Sequence, residues 1–209
     1  MRSIRLLFLI WISWVSGQAQ TSELISWSEY PPRPDSLGFN GSFIGVQDGS
    51  LILAGGANFP DKPVWQGGDK KWYRSIFVLE EDHKGKLAWY FSDNLKLPMA
   101  AGNGVSIVTD KGLICIGGSN SKGALKQVLR LQWNKKNRKL ITEKLPDLPY
   151  PLTSMGGAII DGVIYLVGGQ QDVTGPATQV FLSLDLKTET NGLLKWTEIN
   201  TFPGEARIN

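Results

Sequence analysis

Short apolar runs separated by turn residues recur along the chain. Gly41 to Val46 becomes apolar, breaks at Asp48-Gly49, resumes as Leu51-Ile52-Leu53-Ala54 and stops at Gly55-Gly56. An Asp-Gly pair between two apolar runs predicts a hairpin, because both turn positions tolerate positive φ. Two glycines straight after a strand mark a hard turn or a close approach of backbones. A long loop bearing Trp65 and Trp72 follows, then a third run, Ile76 to Leu79, and a fourth, Trp89 to Pro98.

The same unit appears twice more. GVSIV, a turn at Asp110-Lys111-Gly112, LICI, Gly117-Gly118 and VLRL form the second copy; GGAII, Asp161-Gly162, VIYLV, Gly168-Gly169 and QVFLSL form the third. The glycine pairs lie 62 and then 51 residues apart. Each copy ends in a fourth strand leading to proline, Ile141 to Pro146 and Trp196 to Pro203 in the later two. A period near fifty residues, with four strands and a glycine pair, predicts an all-β fold, a kelch-type β-propeller. The blades fall at about 38–98, 99–149 and 150–203, with the start of another at 204–209. Trp27 followed by Pro31-Pro32-Arg33-Pro34 repeats the fourth-strand ending and predicts a leading outer strand. Closed propellers need at least four blades, and six at about fifty residues each take roughly three hundred. The expectation is a C-terminally truncated, partial propeller that leaves an edge strand and an apolar blade face open. Its partner would be a second half-propeller or another copy of itself.

The first nineteen residues break the pattern. Arg2 and Arg5 precede an apolar core, Leu6 to Val15, and Ser16-Gly17-Gln18-Ala19 supplies small residues for cleavage. That is the form of a signal peptide, residues 1–19, and predicts a periplasmic or secreted protein, residues 20–209. Without Arg2 and Arg5 the net charge falls from +3 to +1, so no electrostatic case for nucleic acid or a membrane surface survives. One Cys and one His are too few for a His/Cys metal site, and no loop has calcium-ligand spacing, so no metal is expected. Cys115 sits in the apolar run LICI, as a buried and inert thiol.

If the innermost strand of each blade runs from top to bottom, the loops after the glycine pairs gather at the top. Loops converging on a rigid scaffold are where ring-like folds bind ligands. Asn58 and Asn120 follow glycine pairs, Gln170 takes the equivalent place in the third copy, and Asn103 lies on a link between blades. Amides donate and accept at once, which suits sugar hydroxyls and acetamides, and equally suits capping of strand ends. Trp65 and Trp72 offer an apolar face to a sugar ring or staple their loop. Arg74 and Arg207 stand at loop–strand junctions, where a guanidinium clamps a carboxylate or pairs with Asp61, Asp69 or Glu205. Glu205 is the one carboxylate at a link between blades and the candidate for proton transfer. His83, in EEDHKGK at the opposite end, reads as a solvated turn residue, and Glu80, Glu81 and Asp82 as ordinary charged surface. The Lys135–Lys139 run is the equivalent turn of the second blade.

GFNGSFIGVQDGSLILAGGANF, with the long Gly/Lys/Trp loop after it, resembles the bacterial N-acetylneuraminate (sialic acid) mutarotases, which are exported six-bladed kelch propellers. PMAAGNGVSIVTDKGLICIGGSNSKG resembles that family's next blade, LPDLPYPLTSMGGAIIDGVIYLVGG its first, and FPGEARIN the start of its second. The blade order is rotated, as in the cyclically permuted mutarotase subgroup. The resemblance covers nearly all of the chain after the signal segment. It implies an isomerase without cofactor that interconverts the α and β anomers of N-acetylneuraminate. That chemistry needs a base at the anomeric hydroxyl, an acid at the ring oxygen and a fixed carboxylate. Arg207 matches an inner-strand Arg of the family, whereas Ala101 stands where another member has Arg. The family's Gly-Glu-x5-Arg segment does not occur here, which assigns the acid–base pair to blades beyond this sequence. A non-catalytic kelch module that binds glycans or protein is the alternative. A copper radical oxidase, which uses a related propeller, would need several histidines and a Tyr–Cys pair.

Overall fold

The computed structural model describes residues 26–35, 37–192 and 194–209. The expected signal segment, 1–19, lies outside the described residues, as does the start of the expected leading strand. The chain divides into two compact units, Met1–Tyr30 and Pro31–Asn209. In the first, residues 26–30 carry no strand, and neither do residues 31–35 at the head of the second.

Three four-stranded antiparallel sheets, each built from strands in chain order, and two two-stranded ones, Ala57–Asn58 with Lys71–Trp72 and Ser119–Asn120 with Gly123–Ala124, lie in the second unit. Blade 1 consists of Phe43–Gln47, Ser50–Ala54, Ser75–Glu81 and Leu87–Lys96. Val105–Thr109, Gly112–Ile116, Val128–Asn134 and Lys139–Lys144 form blade 2. Gly156–Ile160, Val163–Val167, Phe181–Asp185 and Trp196–Glu198 form blade 3. The hairpin signal holds: Asp48 and Gly49 take φ of 48° and 71°, and Asp161 and Gly162 take 49° and 78°. These are left-handed values that a tight two-residue turn requires.

Alternation along the strands decides what packs where. In blade 2, Leu113 and Cys115 face blade 1, joining Ile52, Ala54, Ile76 and Val78. Ile114 and Ile116 face blade 3, joining Ile164, Leu166, Leu182 and Leu184. A strand buried on both faces needs no polar alternation, which is why LICI is continuously apolar. On the far side of blade 1, Phe39 stacks on Tyr73 at 4.3 Å and Arg33 lies over the Phe39 ring at 3.9 Å. The innermost strand of blade 3 is largely exposed, with Ile160 60% accessible.

The glycine pairs are close-approach sites. Gly56, Gly118 and Gly169 donate N–H to the carbonyls of Ala101, Leu152 and Arg207 at 2.8, 2.8 and 2.9 Å. A Cβ on Gly55 would lie 2.2 Å from the Ala101 oxygen, and one on Gly117 2.5 Å from the Leu152 oxygen. No side chain fits there.

Glu80 departs from the sequence expectation, and Arg130 is a second buried charge. Glu80 is not charged surface: it is 3% exposed and accepts from Trp133 Nε1 at 3.0 Å and Arg138 Nε at 3.1 Å, tying blade 1 to blade 2. Arg130, within the run VLRL, is 2% exposed and donates to Glu143 at 2.9 Å and to Glu189 at 3.1 Å, tying blade 2 to blade 3. A buried charge is tolerable only when paired and hydrogen-bonded, and both are.

Candidate functional site

The top of the blades is organised by three left-handed residues at the starts of the innermost strands. Gly41, Asn103 and Ser154 take φ of 64°, 58° and 54°. Asn103 N–H donates to the Gly41 carbonyl at 2.8 Å, Ser154 N–H to the Asn103 carbonyl at 2.9 Å, and Asn209 N–H to the Ser154 carbonyl at 2.8 Å. Thr153 Oγ1 also donates to the Asn103 carbonyl at 3.1 Å. The link residues just before them bridge to residues just after the glycine pairs: Asn40 to Ala57, Gly102 to Ser119, Thr153 to Gln170. The result is a hydrogen-bonded collar that steps from blade to blade.

A cavity of ≈ 290 Å³ opens at this collar and brings together Asn103, Asn120 and Gln170 of the expected residues. Trp72 and Lys70 from the long first-blade loop complete the lining, with Ser119, Thr153, Ser154 and Val173. Trp72 is held by pairing of its strand with Ala57, and its ring lies where a Cβ on Gly102 would come within 3.2 Å. It therefore staples the loop and walls the cavity at once. Trp65 sits in a short 3-10 turn, Val64–Gln66, is 81% exposed and does not line this cavity.

The expected amides differ in what they already bond. Asn58 donates to the Gly38 carbonyl at 3.1 Å and accepts from Tyr73 at 2.8 Å, and it lies outside the cavity. Asn120 donates to the Ala100 carbonyl at 3.1 Å and accepts from Lys122 N–H at 2.8 Å. Gln170 donates to the Gly175 carbonyl. Asn103 alone of the four has a side chain with no hydrogen bond to a described residue, while its backbone is held at both ends by the collar.

The expected cations and the acid lie elsewhere. Arg74 Nε donates to the Leu97 carbonyl at 2.7 Å, closing the loop–strand junction. Arg207 pairs through its backbone with Thr178 and lies over the Phe202 ring at 5.2 Å; its Nε donates to the Glu205 carbonyl at 3.3 Å. Glu205 is exposed. Neither lines the cavity. Sequence reasoning missed Lys70, Ser119 and Thr153, whose types carry no signal in a polar loop; only convergence marks them. Lys70 is an exposed residue whose Nζ lies 4.3 Å from the Trp72 ring centroid, and partial desolvation there draws its pKa below the ordinary lysine value. His83 lines a separate cleft with Glu80, Glu81, Asp82 and the Lys135–Arg138 turn. Among the described residues no three His, Cys, Asp or Glu side chains are grouped to hold a metal ion.

No family model matches the chain. N-acetylneuraminate epimerase 1 of Escherichia coli O6:H1 is 32% identical over 140 residues, covering 60% of this chain and 36% of that protein. N-acetylneuraminate epimerase of Yersinia pestis is 31% identical over 126 residues, 50% of this chain and 30% of the relative. That of Salmonella arizonae is 32% identical over 108 residues, 46% and 26%. The chain thus spans 36% or less of the length of these curated relatives. Among solved structures, YjhT superposes with a TM-score of 0.61 at 14% identity, covering 80% of this chain and 54% of its own, which speaks for the fold. In architecture the described chain is three blades of a kelch-type β-propeller, and in sequence it resembles the N-acetylneuraminate epimerases.

Proposed function

We propose that the chain serves mutarotation of N-acetylneuraminate, the exchange of its α and β anomers, within a complete protein longer than the matched part. The observation that carries this reading is the cluster of Asn103, Asn120 and Gln170 in one cavity beside Trp72. It occurs in a chain whose relatives bear the name N-acetylneuraminate epimerase. The reaction moves protons and breaks and re-forms one carbon–oxygen bond. A base takes the proton of the anomeric hydroxyl, the bond from anomeric carbon to ring oxygen breaks as that oxygen is protonated, and the open-chain keto acid recloses on its other face. No electron changes hands, so no cofactor is called for. In this reading Asn103, Asn120 and Gln170 take the sugar hydroxyls and acetamide and Trp72 lies along an apolar edge of the sugar, while the proton-transferring group comes from outside the cavity lining, which holds no acid. Export to the periplasm or beyond belongs to the same reading, on the charged and apolar character of residues 1–19.

One observation favours a second reading, a sugar-binding propeller without catalysis: none of the residues lining the cavity is acidic. Exchange spectroscopy on N-acetylneuraminate separates the two. Cross-peaks between the anomers that build up faster with protein than without support mutarotation. Saturable binding with exchange at the background rate supports the binding module and removes the enzyme.

A further inference from the structure

We propose that Lys70 is the anion anchor of the collar cavity, receiving the carboxylate of a small sugar acid whose polar groups meet Asn103. The choice of N-acetylneuraminate as probe rests on the sialic acid reading above.

Lys70 is the one cation among the lining residues, and no lining residue is acidic. Asp172 adjoins Val173, but its carboxylate accepts from Thr174 N–H of its own loop at 3.4 Å. Among the described residues Lys70 has no ion-pair partner. Its ammonium rests over Trp72, and the face of an indole steadies a cation without neutralising it. The aromatic ring is itself pinned by strand pairing and by the bare backbone of Gly102. Asn103 adds an amide free to donate and accept, on a backbone fixed in the left-handed region. A cation resting on an indole with its charge unspent, beside an unengaged amide, is a site for a carboxylate bonded to a polar framework. Arg74 spends its Nε on a carbonyl, and Lys71, next in sequence, lies over Tyr73 at 5.3 Å and does not line the cavity.

The test titrates the full chain with N-acetylneuraminate, its methyl ester and D-glucuronate, read by tryptophan fluorescence or calorimetry. The acid should bind about tenfold or more tighter than the ester, the scale of one charge-assisted hydrogen bond. Lys70→Met should bring acid and ester together by weakening the acid alone. Lys70→Arg and Lys71→Met should keep the difference. Equal affinity for acid and ester in the native chain overturns the proposal, as does a difference that survives Lys70→Met, or failure of both acids to bind. Lys70-dependent binding with anomer exchange at background removes the enzymatic reading and upholds the anchor. Lys70-dependent binding of D-glucuronate in place of N-acetylneuraminate removes the sialic acid reading and upholds it too.

Discussion

The backbone N–H of Asn103 donates to the carbonyl of Gly41 at 2.8 Å, across the boundary between the first two blades. Asn103 is therefore positioned by Gly41 before any ligand arrives. A Cβ on Gly41 would lie 1.9 Å from Asn103 Oδ1 and 2.9 Å from its N, and φ there is 64°. Gly41→Ala should cost about 1–3 kcal/mol, the usual scale of strain at such a backbone position. It should also weaken sugar binding by displacing Asn103. Ser154→Gly, at the equivalent left-handed step, should leave the urea midpoint unchanged or raised. Equal midpoints for the native chain and Gly41→Ala would show that the collar does not constrain the blades.

The Arg130–Glu189 pair predicts an acid limit to stability. Hydrogen bonds from Arg130, then from Lys111, hold the Glu189 carboxyl at about 2, below its ordinary 4.5. A depressed carboxyl favours the charged, folded form. Its contribution is therefore complete above about pH 4.5 and is lost as pH falls toward 2. Glu189→Gln should flatten the fall of the thermal midpoint across that window. A slope as steep as the native one would assign the acid sensitivity to other carboxylates.

Two indole N–H groups bridge blades with different partners, and their loss should differ in cost. Trp133 donates to the buried Glu80 carboxylate at 3.0 Å, whereas Trp196 donates to the Pro146 carbonyl at 2.9 Å. Trp133→Phe leaves a buried charge short of a donor and should cost about 1–3 kcal/mol. Trp196→Phe forfeits a neutral bond worth about 0.5–1.5 kcal/mol. Trp89, which donates to the Pro31 carbonyl at 2.9 Å, should behave like Trp196. Denaturant midpoints that rank Trp196→Phe as the more damaging would contradict this ordering.

Burial pushes the Cys115 thiol far above its ordinary pKa. Only the thiolate reacts, so a disulfide reagent at pH 8 should label the native chain at the rate of its opening, and the urea-unfolded chain at once. Immediate labelling of the native chain would mean that the interface of blades 1 and 2 is open.

Arg207 is exposed and lies outside the collar cavity. Arg207→Ala should change the unfolding free energy from denaturant titration by no more than about 0.5 kcal/mol. Because Arg207 stands outside the cavity, N-acetylneuraminate affinity should be unchanged, and a fall in affinity would bring Arg207 into the site.

The blades were legible in the sequence because what makes them is local. Asp-Gly turns, runs of apolar residues and paired glycines each act within a few residues, and their repetition reveals the unit. Glu80 and Arg130 were not legible, because the same residue types serve equally as solvated surface. Their partners, Trp133 and Glu189, lie 53 and 59 residues away, across blade boundaries. The same limit applies to the candidate site. Asn58, Asn103 and Asn120 are one residue type in similar loops, yet the packed structure engages two of their amides and leaves the third unengaged. Local sequence determined the strands, the turns and the number of blades. Only the tertiary structure decided which side chains have spent their hydrogen bonds, because that depends on groups the chain brings together from distant positions.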